Sequence, residues 1–352
     1  MLSKGDCKRI LIIRLSAIGD VVLATPLAKA LREAFPDAHI AWVVEAKCRD
    51  VLEGNPYLDE VIVWQRMQSG GSALGRAVRY IAEARELSRK LKARKFDVAI
   101  DFQGLLRSAL VARVSGARLR IGYSNSREGA FLFHHTRHPV NRAKMQGDET
   151  HTVMLSHLGI TVDKLEMHMP IGAEDAAFAR EFVADALAGH PSARKVVALC
   201  PATTWPQKYW TEQGWAELAD ALVAKYKALP IFLGSKDDIA LMDRIAGLMT
   251  TDPVSAMGKT SLKQAAAIIA RSDLVISVDT GLMHIANALK RPVVGIFGPT
   301  AWDYLGKKDT LRIVAKELEC MPCFRHPSCE RFDCMRAITA DDVLPAAERW
   351  LT

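Results

Sequence analysis

The feature of this sequence that most restricts its fold is a repeated alternation of short apolar runs with longer segments of helical periodicity. The run KRILIIRL is followed by the turn SAIGD and then by VVLATPLAKALREAF, whose apolar residues are spaced by three and four. A short run that is apolar throughout is typical of a strand buried on both faces. AHIAWVVEA, DEVIVW and FDVAIDF continue the pattern. The alternation predicts the α/β class with a parallel, doubly wound sheet.

The pattern weakens between about residues 120 and 170, where we expect a mobile loop and a domain junction. It restarts with KVVALCPA and continues through LPIFLGS, DLVISVDTG and RPVVGIFG. A chain of 352 residues also exceeds what one hydrophobic core usually supports. We therefore predict two doubly wound, Rossmann-like domains, 1–170 and 171–352, that face a central cleft. Ligands of such sheets bind beyond the carboxyl ends of the strands.

Composition and charge exclude several classes of protein. No run of 18 apolar residues is present, so we expect no membrane-spanning helix. The start MLSKGDCKRILIIRL lacks the pattern of a secretory signal, which predicts a cytoplasmic protein. The net charge of +7 suits a phosphorylated substrate, an anionic membrane surface or simple solubility, and we expect no nucleic-acid partner. Neither G-x-G-x-x-G after the first strand nor a P-loop motif occurs, so a standard dinucleotide or P-loop site is not expected.

Two strand-end turns of the first domain carry candidate site residues. Gly19 and Asp20 stand where the first strand meets the first helix. Asp20 is a candidate general base, although an N-cap role is an equally good interpretation. Gln103 follows the strand FDVAIDF and Arg107 comes one helical turn later, while a capping turn explains Asp101.

The second domain has two turns of the same layout. Thr203, Thr204 and Lys208 follow the strand VVALC, and their hydroxyl and ammonium groups suit a diphosphate; a Thr-rich turn with an exposed lysine is the alternative. The second turn precedes the helix GLMHIANAL, whose N-terminal N–H groups would bind a phosphate without a metal. It contributes the residues Asp279, Thr280, Gly281 and His284. Taken alone, a histidine at such a position is more often a core residue.

Four of the seven cysteines lie within 15 residues near the C-terminus. They are Cys320, Cys323, Cys329 and Cys334, with His326 between them. Their spacing is not that of two C-x-x-C pairs, so a structural metal site and a loop of reduced thiols are both open.

The ordered motifs RLSAIGD, AWVVEA, DFQGLLRSAL, PATTWPQKYW, FLGSKDD, ISVDTGLMHIANAL and RPVVGIFGPT span nearly the whole chain. Together they resemble the ADP-heptose:lipopolysaccharide heptosyltransferases, glycosyltransferase family 9. The resemblance implies a GT-B fold and an inverting transfer that needs no metal. It also implies ADP-heptose as donor, a lipid A-core acceptor and peripheral contact with the inner face of the inner membrane.

The same resemblance implies roles for individual residues. Asp20 matches the catalytic base of the family, and Asp238 stands where a nucleoside-binding residue is expected. The donor-site residues would be Thr203, Thr204, Lys208, Asp279, Thr280, Gly281 and His284. Residues 1–170 would bind the acceptor, with Gly19, Gln103 and Arg107 as candidates, and 171–352 would bind the nucleotide sugar. No cofactor is expected for catalysis.

Two other functions remain open on the sequence. One is a GT-B transferase or epimerase that uses a UDP-sugar, and the other is a non-catalytic nucleotide-binding or scaffold protein. Within the family, the S-V-D-T-G turn and the cysteine-rich tail point to different heptosyltransferase groups, so the sequence does not choose between types I and II.

Overall fold

The computed structural model divides into two compact units, Met1–Pro170 and Ile171–Thr352. The residues that the structure describes are 7–65, 72–139, 147–162, 166–306, 308–324 and 329–352. No helix among them is long and apolar enough to cross a membrane.

The first unit is built on a parallel six-stranded sheet of order β3-β2-β1-β4-β5-β6. Its strands are β1 (Arg9–Ile13), β2 (His39–Glu45), β3 (Glu60–Trp64), β4 (Val98–Asp101), β5 (Leu119–Tyr123) and β6 (Thr136–His138). Its helices are α1 (Ile18–Ala24), α2 (Pro26–Ala34), α3 (Arg49–Leu52), α4 (Ala73–Ala93), α5 (Leu106–Val114) and α6 (Gly147–His157), with 3₁₀ turns at Ala46–Cys48 and Ala130–Phe133. The central strand β1 is buried from Ile10 to Ile13, as its unbroken apolar sequence predicts.

The second unit has a parallel six-stranded sheet of order β12-β11-β10-β7-β8-β9. Its strands are β7 (Lys195–Cys200), β8 (Ala228–Phe232), β9 (Val254–Ser255), β10 (Leu274–Val278), β11 (Val293–Phe297) and β12 (Leu311–Ala315). Its helices are α7 (Ala173–Ala188), α8 (Glu212–Tyr226), α9 (Ile239–Ala246), α10 (Leu262–Arg271), α11 (Gly281–Ala288), α12 (Asp333–Arg336) and α13 (Ala340–Leu351), with 3₁₀ turns at Pro206–Lys208, Lys236–Asp238 and Asp303–Leu305.

The two sheets share one topology. Counted within each unit, the strand order is 3-2-1-4-5-6, so the direction of winding reverses between the first and fourth strands. The reversal lies between β1 and β4 in the first unit, and between β7 and β10 in the second. Loops beyond the carboxyl ends of strands at such a point diverge and leave room for a ligand. These are the loops that hold Asp20, Gln103, Lys208 and Asp279.

The loop expected between residues 120 and 170 is only partly a loop. Strand β5, the 3₁₀ turn Ala130–Phe133, strand β6 and helix α6 all lie within it. Strand β6 was missed because its three residues, Thr136, Arg137 and His138, are polar and incompletely buried at the edge of the sheet. The segments 140–146 and 163–165 lie outside the described residues.

Candidate active site

The centre of the candidate site in the second unit is the carboxylate of Asp279, directly after β10. Its side chain is 9% exposed. The Lys208 ammonium donates to Oδ2 of Asp279 at 2.5 Å, and the Thr300 hydroxyl donates to the same oxygen at 2.9 Å. Lys208 ends a 3₁₀ turn that follows β7, and Thr300 follows β11. Three separate loops therefore converge on one carboxylate.

Two further residues complete this network. The Thr203 hydroxyl donates to the backbone carbonyl of Asp279 at 3.2 Å. Nε2 of His284, one turn into α11, lies 3.8 Å from Oδ1 of Asp279. Burial alone would raise the pKa of the Asp279 carboxyl, but His284 and Lys208 outweigh burial and hold this pKa well below its usual range. Asp279 is therefore an anion that fixes cationic and hydroxyl groups in place.

The network presents groups that suit a phosphate. The Lys208 ammonium, whose side chain is 14% exposed, also lies 4.2 Å from the centre of the Trp205 ring. Thr280 is the N-cap of α11 and Gly281 is its first residue. The first N–H groups of a helix have no carbonyl partner within the helix, and the helix dipole favours an anion there.

Not every residue predicted for this unit belongs to the network. Thr204 is exposed at the surface of the loop. The carboxylate of Asp238 accepts hydrogen bonds from the backbone N–H and the hydroxyl of Ser235, at 2.8 and 2.7 Å. Among the described contacts, Asp238 therefore caps the turn that begins α9.

The cysteine-rich segment is joined to the Lys208 turn by hydrogen bonds. Gln207, next to Lys208, donates from its side-chain amide to the carbonyl of Phe324 at 3.0 Å. The N–H of Phe324 donates to the carbonyl of Pro299 at 2.8 Å, beside Thr300. The segment therefore ties together two of the loops that reach Asp279.

The four clustered cysteines differ in exposure. Cys320 is exposed, Cys323 and Cys329 are half-buried, and Cys334 is buried; all four are free thiols. Burial, followed by the neighbouring thiols, raises the pKa of Cys334 to about 11. Among the described residues, which include these cysteines but not His326, no three His, Cys, Asp or Glu side chains are grouped so that they could hold a metal ion.

In the first unit, Asp20 is the third residue of α1, and the N-cap is Ala17. The N-cap alternative for Asp20 is therefore wrong, although its carboxylate does accept a hydrogen bond from the Ala17 N–H at 3.3 Å. The Arg14 guanidinium lies 3.0 Å from Oδ2 of Asp20, and it also donates to the Phe102 carbonyl at 2.9 Å. The ion pair with Arg14 holds the Asp20 carboxylate in position. The side chain is 50% exposed, so the carboxylate is also accessible to solvent.

The remaining predicted residues of this unit shape the loop that holds Asp20. Gln103 is buried, and its side-chain oxygen accepts from the Leu15 N–H at 2.8 Å. Arg107 is 2.8 Å from a carboxylate oxygen of the buried Glu45 and donates to the Ser16 hydroxyl at 3.3 Å. Gly19 is buried inside α1. Gln103 and Arg107 thus contact the segment that precedes Asp20.

Beneath this loop lies a fully buried pair, Asp101 and His134, whose Oδ2 and Nε2 atoms are 3.2 Å apart. The other carboxylate oxygen of Asp101 accepts from the N–H groups of Gln103 and Gly104 at 2.9 and 3.0 Å. Asp101 therefore organises the turn after β4.

Sequence reasoning missed Arg14, His134 and Thr300 as parts of the two sites. Arg14 gave no local signal, because its partner Asp20 lies on the other side of a turn. His134 gave none, because its partner Asp101 is distant in sequence. Thr300 did have a recognisable sequence signal. The segment RPVVGIFGPT has the same layout as the site turns after β7 and β10, a buried strand followed by a polar turn.

Comparison with known proteins identifies the family. The sequence model of glycosyltransferase family 9 (heptosyltransferase) matches residues 84–332. The lipopolysaccharide heptosyltransferase 1 of Pseudomonas aeruginosa is 27% identical over 331 residues, which cover 90% of this chain and 86% of that protein.

Solved structures give the same result. The glycosyl transferase family 9 protein of Veillonella parvula superposes with a TM-score of 0.82 at 25% identity, covering 99% of this chain and 98% of that one. The Escherichia coli heptosyltransferase WaaC with ADP-2-deoxy-2-fluoro heptose has a TM-score of 0.68 at 25% identity, covering 97% and 99%. The resemblance inferred from the motifs and the predicted GT-B class are confirmed. The chain belongs to glycosyltransferase family 9, the heptosyltransferases, and is a glycosyltransferase enzyme.

Proposed function

We propose that this enzyme transfers heptose from ADP-heptose to an inner-core acceptor of lipopolysaccharide, with inversion at the anomeric carbon. The family assignment and the name of the P. aeruginosa relative support the reaction. The ADP-heptose analogue carried by the E. coli relative supports the donor. Because the family resemblance implies an acceptor at the inner face of the inner membrane, we also propose the cytoplasm as the location.

The observation that carries the proposal is the convergence of Lys208, Thr300 and Asp279 beside the N-terminus of α11. When the bond between the anomeric carbon and the diphosphate breaks, the electron pair leaves with ADP and negative charge grows on the departing oxygen. An ammonium held at a fixed position and the N–H groups at a helix N-terminus stabilise such charge without reorganising. We propose that these groups suffice and that catalysis needs no metal ion.

The proposed base is Asp20. Its half-exposed carboxylate takes the proton of the acceptor hydroxyl as that oxygen attacks the anomeric carbon on the face opposite to ADP. Arg14, 3.0 Å from Oδ2 of Asp20, keeps the carboxylate oriented. Gly19, Gln103 and Arg107 act on the acceptor side, where Gln103 and Arg107 hold the backbone and the Ser16 hydroxyl of the same loop. We also propose Thr204 as a contact of the donor phosphates and Asp238 as a contact of the nucleoside, as their motif positions indicate.

A panel of nucleotides and acceptors tests the proposal. We expect ADP and ADP-heptose to raise the melting temperature of the protein, UDP and GDP to have little effect, and heptose to be transferred to a truncated core acceptor. Stabilisation by UDP-sugars alone would instead support a UDP-dependent transferase or epimerase.

The assignment of the base is tested separately. Asp20→Asn preserves the shape of the side chain, so we expect it to bind ADP normally and to lose at least a hundredfold in turnover, within the range of general base catalysis. Asp50→Asn, on the first turn of α3, is a matched control on the same unit. Normal turnover of the Asp20 variant would remove Asp20 from the mechanism.

A further inference from the structure

Helix α4, with 21 residues, is the longest helix of the described chain and has an unusual outer face. Leu87 and Leu91 are buried and attach the helix to its unit. At 100° per residue, the opposite side of the helix carries one stripe of exposed side chains. The stripe consists of Val78, Ile81, Arg85, Arg89 and Lys92.

The stripe is about 21 Å long, and its two ends differ in chemical character. Its N-terminal end is apolar, with Val78 60% and Ile81 48% exposed. Its C-terminal end holds the three cations. Apolar side chains that are so exposed on a helix, next to basic ones, are typical of a surface that contacts something other than water.

In the part of the chain that the structure describes, none of the three cations forms an ion pair within 4 Å. The neighbouring carboxylate of Glu86 pairs with Lys90 at 2.7 Å, and Arg89 interacts with Glu86 only at longer range. No acidic residue lies on the stripe itself. The stripe therefore presents a net charge of about +3 to an outside partner.

We propose that this stripe of α4 docks the enzyme on an anionic bilayer surface. Val78 and Ile81 enter the headgroup region, while Arg85, Arg89 and Lys92 contact lipid phosphates. The combination favours a membrane over an acidic protein or a nucleic acid, because the apolar end has no role in a purely electrostatic contact. The inference rests on the proposed function, in which the acceptor is anchored in a membrane and must be reached from its surface.

Sedimentation of the full-length chain with vesicles tests the proposal. We expect the wild type to bind vesicles of phosphatidylglycerol and phosphatidylcholine much more strongly than vesicles of phosphatidylcholine alone. Each basic residue near an anionic surface contributes about a fivefold increase in binding. Arg85→Gln with Arg89→Gln should therefore weaken binding roughly 25-fold, and Val78→Ser with Ile81→Ser should also weaken it.

Matched controls are the exposed Arg271 and Arg336 of the second unit, changed together to Gln, and the exposed Leu248 changed to Ser. Equal loss of binding in these controls, or equal binding of the wild type to neutral vesicles, would overturn the proposal. So would the loss of a dimer in the stripe variants, since the stripe would then contact a second copy of the chain.

Transfer to a soluble, truncated acceptor separates this inference from the proposed function. The stripe variants should keep wild-type turnover with that acceptor, because none of these residues belongs to the candidate active site. If the wild type itself fails to transfer heptose, the proposed function fails, while the vesicle measurement still decides whether the stripe binds a membrane.

Discussion

Replacing Lys208 by methionine would test the candidate donor site most directly. The substitution keeps much of the side-chain volume and removes the ammonium that faces Oδ2 of Asp279 at 2.5 Å. It leaves a carboxylate that is only 9% exposed without its main cation. Removing one partner of a buried pair costs about 3–5 kcal/mol. Because the Thr300 hydroxyl and His284 stay beside the carboxylate in the variant, we expect the free energy of unfolding to fall by about 3 kcal/mol, at the lower end of this range.

The same variant should bind ADP weakly. A hydrogen bond to a charged group contributes about 1.5–3 kcal/mol, which corresponds to an affinity loss of roughly 10- to 150-fold. The unpaired Asp279 carboxylate would also repel a diphosphate, so this range is a lower bound. Titration calorimetry with ADP at a temperature well below the unfolding transition measures the effect.

Two further variants separate binding from stability. In Lys208→Met with Asp279→Asn, both charges are removed, so stability should largely return while ADP affinity stays below that of the wild type. Lys225→Met is the matched control, because Lys225 is an exposed lysine in the last turn of α8, in the same unit and outside the candidate site. If Lys208→Met bound ADP within twofold of the Lys225 variant, Lys208 would not be a phosphate ligand and the reasoning would be refuted.

Three other predictions concern stability, pH and the thiols. Thr300→Val keeps the side-chain shape but loses the 2.9 Å hydrogen bond to Asp279, so it should cost about 1 kcal/mol in urea unfolding and weaken ADP binding severalfold. Because the pKa of Asp279 is lower in the folded than in the unfolded chain, its ionised form stabilises the fold fully above a pH of about 4, and this contribution is lost as the pH falls further. The stability difference between wild type and Asp279→Asn should therefore be constant near neutral pH and shrink in acid; a constant difference down to a pH of about 2 would contradict the pairing. Of the four clustered thiols, a thiol reagent should modify Cys320 fastest and Cys334 slowest in the native protein, since Cys334 is buried with its pKa raised to about 11. Elemental analysis that finds one metal per chain, with all four thiols protected, would instead support a structural metal site.

The central strands could be predicted from the sequence because a strand buried on both faces consists of an unbroken run of apolar residues. Strands β1, β7, β10 and β11 are of this kind. Strands β5, β6 and β12 were not predicted, since each includes polar residues such as Arg120, Arg137 and Arg312. The edge strand β3 was predicted, because its sequence EVIVW is mostly apolar. Patterns of hydrophobicity therefore locate strands that have an apolar run, wherever these lie in the sheet.

The candidate sites were predictable to the extent that strand-end turns mark them. Lys208 and Asp279 stood out in their turns, but only the fold brings them within 2.5 Å of each other across 71 positions of sequence. Arg14 lies inside the strand-end motif of Asp20, yet nothing local distinguishes it from a solvated arginine. Asp238 matched a motif position, and the contacts described for it are those of a turn cap. Contacts between loops are tertiary facts that no local pattern encodes.

The convergence of three loops on Asp279 also matters for anyone who wishes to redesign the enzyme. The groups proposed to bind the diphosphate, or to position its ligands, come from three turns. Thr203 and Lys208 stand on the turn after β7, Asp279 on the turn after β10 and Thr300 on the turn after β11. A single motif transplanted from another transferase would replace the residues of one turn and leave unchanged the residues of the other two turns that they contact. Altering how this enzyme holds the diphosphate of its donor therefore calls for exchanging the turns after β7, β10 and β11 as one set.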